Sequence, residues 1–188
     1  MIISEPITLT KADVTIQITP LNYDELKELH GSNRRQKLNP FIDYPGQIPQ
    51  RRIVVFKTEF LAKESTIQVN IKDTSLKIGE KQGRGITPEY MHQLWKVYIA
   101  NSPYVNIIPN KAKKYMLPRD FVFSPESPQT GYLVFAEPYP KEGGKSILTI
   151  PVSTPEGDQG VFEFELYFNQ DGISSDSPST GDTGKFLE

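Results

Sequence analysis

Catalysis at neutral pH usually calls on histidine, a reactive thiol or a tuned pair of carboxylates, and this chain offers two histidines and no cysteine. His92 lies one residue off the apolar stripe of a candidate helix, and His30 ends a helical turn just before Gly31. Both are expected to be structural or surface groups, His30 as a cation near a helix C-terminus. No Gly-x-Ser-x-Gly elbow surrounds any serine, and neither Cys-x-x-Cys nor His-Glu-x-x-His occurs, so hydrolase and zinc chemistry find no local motif. A carbohydrate-acting hydrolase would have to bring two carboxylates together in space, about 5 to 10 Å apart.

Asn169-Gln170-Asp171-Gly172 followed by Asp176 has the oxygen donors and glycine turn of a calcium loop. A strand precedes it and a Ser/Pro-rich stretch follows, so the reading preferred here is a solvated tail. Gly79-Glu80-Lys81-Gln82-Gly83-Arg84-Gly85 enters a helix, where glycines and free N–H groups can cradle an anion. It matches neither nucleotide-binding motif and is expected to be a flexible loop. No cofactor is expected.

The basic groups Arg34-Arg35-x-Lys37, Arg51-Arg52 and Lys111-x-Lys113-Lys114 are short and scattered among acids. With 21 Lys and Arg against 23 Asp and Glu, the charge balance disfavours nucleic acid as a partner. Tyrosines in loops and on outward faces suit a protein or glycan interface, because they bury large area at little entropic cost. Tyr44, Tyr90, Tyr104 and Tyr139 are the candidate partner-binding residues.

The elements that must position these groups are mostly strands. Sixteen prolines, against a usual share of ~5%, are spread between short segments rather than pooled. Val14-Thr15-Ile16-Gln17-Ile18-Thr19 alternates apolar and polar residues, and Pro20 is expected to close it. Arg52 to Phe60 and Thr66 to Ile78 repeat the pattern, with a change of parity near Asp73 that predicts a bulge or break. Further strands are expected at Ile7 to Thr10, Tyr104 to Ile108, Phe121 to Phe123, Gly131 to Glu137, Ser146 to Val152 and Val161 to Phe168. In the last, Phe162, Phe164, Leu166 and Phe168 share one face.

Thr87-Pro88-Glu89 is a helix start, and Met91, Leu94, Trp95, Tyr98 and Ile99 form one apolar stripe ended by Asn101-Ser102-Pro103. Tyr23 to Leu29 is a shorter helical turn. The fold class predicted is therefore mostly β, an antiparallel two-sheet sandwich with one inserted amphipathic helix at about 87–100. Residues 1–168 are expected to form a single domain, with the packing of 1–40 left open, and 169–188 a flexible acidic tail. That tail carries four acids and one base, leaving 20 basic and 19 acidic residues in the body.

The order of Arg52 to Ile78, Phe121-Val122-Phe123, Gly131-Tyr132-Leu133-Val134-Phe135, Ile147-Leu148-Thr149-Ile150-Pro151 and the Phe-rich final strand resembles the telokin-like, immunoglobulin-like sandwich domains of bacterial envelope lipoproteins. The resemblance covers roughly residues 52–168 and departs from the family in the helical segment and before Asn39. It implies no transferable catalytic residue. It implies instead a non-enzymatic binding or structural module of the cell envelope, held to the membrane only through a lipid anchor on a removed export signal. A native start at Met1 would make the protein cytoplasmic. Oligomeric state is left open, as is calcium-dependent adhesion through Asp171 and Asp176.

Overall fold

The computed structural model describes residues 5–31, 39–42, 51–99, 101, 105–138, 144–169 and 172–174. Two antiparallel sheets carry most of them. The first has the order β1 (Ile7–Lys11), β2 (Val14–Leu21), β3 (Arg51–Ala62) and β8 (Gln129–Pro138). The second runs β11 (Gly172–Ser174), β10 (Gln159–Asn169), β9 (Gly144–Ser153), β4 (Ile67–Asn70) and β7 (Asp120–Phe123). Beside this path β5 (Ser75–Ile78) pairs with β9 and with β6 (Lys81–Arg84).

The alternating strands face their apolar residues into one core between the sheets. Ile16 and Ile18 meet Phe56, Phe60, Phe135, Phe162 and Phe164 there, all essentially without solvent exposure. Each such side chain contributes about 2–3 kcal/mol by leaving water. The parity change near Asp73 takes the second of its two expected forms, a break rather than a bulge: the 3-10 turn Ile71–Asp73 separates β4 from β5. β4 touches β9 only at Gln68 opposite Ser153, and β5 takes over at Ser75 opposite Thr149. The Asn70 carboxamide accepts from Lys72 N–H at 2.9 Å and holds the turn between them.

A second core lies on the other face of the first sheet. Ile53 and Val55 of β3, with Tyr132 and Val134 of β8, point away from the sandwich and are covered by three α-helices among the described residues. These are α1 (Tyr23–His30), α2 (Pro88–Ile99) and α3 (Ile107–Tyr115). Leu26, Met91, Trp95, Ile108 and Ala112 supply their buried faces. Burial on both faces explains why Ile53 to Phe56 and Tyr132 to Phe135 are unbroken apolar runs rather than alternating ones.

α1 and α2 stand where the sequence places helices, and α3 is additional. Of the segment Tyr104 to Ile108, expected as a strand, Ile107 and Ile108 form the start of α3 instead, and Tyr104 lies outside the described residues. Pro109 of α3 is harmless in the first turn, where N–H groups have no helical partner, and Ile108, Ala112 and Met116 repeat every four residues toward the core. Pro20 does not close β2 but sits inside it, opposite Phe56. β1 pairs no further along than Ile18, so at Pro20 one side of the strand needs no donor.

α1 is secured by a reciprocal cap: the Asn22 side chain accepts from Glu25 N–H at 3.0 Å and the Glu25 carboxylate accepts from Asn22 N–H at 2.8 Å. α2 starts as its sequence implies, with Thr87 Oγ1 accepting from Tyr90 N–H at 3.3 Å. Of the expected tail 169–188, Asn169 closes β10 and Gly172–Ser174 form β11, while 175–188 lie outside the described residues. No helix among the described residues is long and apolar enough to cross a membrane.

Candidate binding groove at the junction of the sheets and helices

The Gly79 to Gly85 segment, expected as a flexible loop, is a β-hairpin. Gly79 opens its turn at φ 59°, a conformation that glycine adopts freely, and Lys81–Arg84 pairs with Ser75–Ile78. Gly85 then packs so tightly that any side chain would collide with the Ile71 carbonyl oxygen and Thr74 Oγ1. Its N–H donates to Thr74 O at 3.1 Å, and the next residue, Ile86, donates to Val134 O at 2.8 Å. The chain thereby crosses from the second sheet to the free border of the first and enters α2.

That crossing leaves an open groove of about 620 Å³ between the hairpin, the first turns of α2 and the end of β8. Ile86, Ala136 and the Tyr90 ring give it an apolar side. Lys72 from the 3-10 turn, Arg84 from β6 and Arg119 from the approach to β7 give it three cations against the single carboxylate of Glu89. Lys72 and Arg84 have no ion-pair partner among the described residues. Arg119 Nε lies 3.5 Å from Asp120 Oδ2, but both side chains are more than half exposed, so this pair holds the guanidinium weakly. A smaller recess of about 360 Å³, which shares Lys72 and Arg84 and adds Asp73, Ser75 and Gln82, continues the groove along the hairpin. The arrangement can hold an anion; its one hydroxyl with a defined role, that of Thr87, is engaged as a helix cap.

The histidines do different work. His30 is buried, correcting the expectation of a cation at a helix end. Its Nε2 lies 3.0 Å from the Tyr132 hydroxyl, its ring packs edge-on to Tyr115 at 4.5 Å between centroids, and Phe41 closes the cluster at 4.9 Å. Burial, aided by the nearby Lys111 and Lys114, lowers its pKa to about 4, so the ring is neutral. Burial likewise pushes Tyr132 up to about 12, with Tyr115 adding to the effect. This enclosed pair fastens α1 to the sheet. His92, on α2, is half-buried.

Of the candidate tyrosines, Tyr90 is 48% exposed and borders the groove. Tyr44, Tyr104 and Tyr139 lie outside the described residues, as do Asp171 and Asp176. Lys111 donates to the His30 carbonyl oxygen at 2.8 Å, and the Lys114 ammonium lies 5.1 Å from the Tyr115 ring centroid, so this basic run braces α3 and α1. No cluster of three or more metal-ligating side chains occurs among the described residues. Lys72, Gln93 and Arg119 carry no signal in the sequence spacing. Only the Gly83-Arg84-Gly85 glycines hinted at an anion site, and the other three come from separate elements. No protein-family model matches the chain, and no curated protein matches it either.

Proposed function

We propose that the protein is a non-enzymatic binding module of a bacterial cell envelope, and that it receives its partner in the groove beside α2. The observation that carries this reading is the convergence of Lys72, Arg84 and Arg119 with the exposed Tyr90 ring around one open groove. Cations and a half-exposed aromatic ring gathered around one opening suit a ligand of opposite charge, and aromatic and arginine groups dominate binding energetics where a partner engages them. The envelope assignment is supported by the strand order that resembles telokin-like, immunoglobulin-like lipoprotein domains.

The test is photocrosslinking in the cells that make the protein. Tyr90→p-benzoylphenylalanine is expected to give a discrete adduct in the envelope fraction. Tyr167→p-benzoylphenylalanine, at a comparably exposed site on β10, is expected to give none. Equal labelling from both positions, or a protein found wholly in the cytoplasm, overturns the reading.

A further inference from the structure

The border of the first sheet narrows the kind of partner, and this step rests on the binding reading above. β8 pairs with β3 on one side only, with Tyr132 opposite Lys57, Val134 opposite Val55 and Ala136 opposite Ile53. On its other side the Tyr132 carbonyl accepts from Leu117 N–H at 3.1 Å and the Val134 carbonyl from Ile86 N–H at 2.8 Å. Main-chain groups of a strand alternate sides with a period of two residues, so the N–H and C=O of Ala136 face the same free border. No described residue pairs with them, and Ala136 lines the groove. A border covered at two successive positions is therefore left uncovered by the described residues at the third, where the cations gather.

We propose that the groove takes an extended acidic segment of a partner protein. The segment adds to the first sheet at Ala136 and sets its carboxylates against Lys72, Arg84 and Arg119. An unpaired strand border offers a partner chain alternating donors and acceptors at the spacing of its own backbone, and side-chain pockets then select among sequences. Lys72, Arg84 and Arg119 outnumber Glu89 in the groove and Asp73 in the adjoining recess, which favours acidic side chains, and guanidinium groups bind carboxylates in a bidentate manner. The apolar side formed by Ile86 and the Tyr90 ring suits the alternate, uncharged side chains of the same strand. An acidic polysaccharide would answer to the cations and the ring but could not continue the ladder.

The experiment pans a phage library of random twelve-residue peptides against the full chain and measures the best synthetic peptide by fluorescence anisotropy. Enriched peptides are expected to carry an excess of Asp and Glu alternating with apolar residues. Arg84→Glu and Lys72→Glu are each expected to weaken binding at least tenfold while leaving the melting temperature unchanged, since both side chains are exposed. Hydrogen exchange at the Ala136 amide is expected to slow at least tenfold on binding. Peptides without acidic excess, or acidic peptides that leave Ala136 exchange unaltered, overturn the inference. Binding of an oligogalacturonate that depends on Arg84, with no peptide enriched, overturns the peptide class while the groove keeps its binding role. Failure of both probes, together with no adduct from position 90, removes the groove reading as well.

Discussion

His30 Nε2 and the Tyr132 hydroxyl, 3.0 Å apart, join the last residue of α1 to the border strand of the first sheet. His30 is neutral in the folded chain, with its pKa lowered from 6.5 to about 4, so between those values the unfolded chain binds a proton that the folded chain refuses. Stability from this source is complete above about pH 6.5 and is lost as the pH falls toward 4. Near pH 4.5 the loss amounts to about 2–3 kcal/mol.

Thermal unfolding at pH 7 and pH 4.5 checks this. The wild type is expected to lose several degrees more than His30→Gln, and equal losses would remove His30 as the cause. Trp95 is the chain's one tryptophan and sits in the helical layer, so its emission should shift before the far-ultraviolet signal of the strands.

Asn39 is wholly buried, its amide donating to Leu26 O at 2.9 Å and Gly31 O at 2.8 Å while its carbonyl accepts from Phe41 N–H at 2.9 Å. Asn39→Leu removes three hydrogen bonds to the backbone at once. A cost of about 3 kcal/mol or more in urea denaturation is expected, and a loss below ~1 kcal/mol would show that water replaces the carboxamide.

Gly85→Ala inserts a methyl group against the Ile71 carbonyl oxygen, which cannot swing away, and against Thr74 Oγ1, which is itself hydrogen-bonded to that oxygen. Overpacking of this kind costs about 1–3 kcal/mol. Because Ile86 anchors the hairpin to β8, the same variant is expected to speed hydrogen exchange at Ile86 more than at Leu148 in the sandwich core, which two-dimensional NMR would resolve.

Tyr90→Ala separates binding from folding. Half-exposed on the first turn of α2, the ring is expected to contribute within ~0.5 kcal/mol to stability. A drop of several degrees in melting temperature would make Tyr90 a packing residue instead.

Strands with one wet face were legible because alternation is a local property: Val14, Ile16 and Ile18, or Phe162, Phe164 and Leu166, declare their burial without reference to the rest of the chain. The Thr87 start of α2 was legible for the same reason. α3 was not, since Ile107-Ile108-Pro109 has strand-like composition and its helical repeat rests on the small Ala112. β6 was hidden because Lys81-Gln82-Gly83-Arg84 has no apolar residue; it is held by β5 and by the turn at Gly79. The groove was invisible for a topological reason. Lys72, Arg84 and Arg119 are brought together by tertiary contacts: Asn70 pairs with Asp120, Ser75 pairs with Arg84, Ile71 N–H donates to the Arg119 carbonyl at 2.8 Å and Gly85 packs on Ile71.

β3 and β8 serve as a shared wall with apolar side chains on both surfaces, and this gives the molecule an asymmetric way to fail. The sandwich side can stay closed when the helices leave, because its core draws only on inward residues such as Phe56 and Phe135. What the departing helices uncover is a flat, adhesive strip of Ile53, Val55, Tyr132 and Val134. Acid-loosened protein should then clump through that strip while its strands remain intact, and turbidity at mildly acid pH should rise with protein concentration before any strand signal is lost.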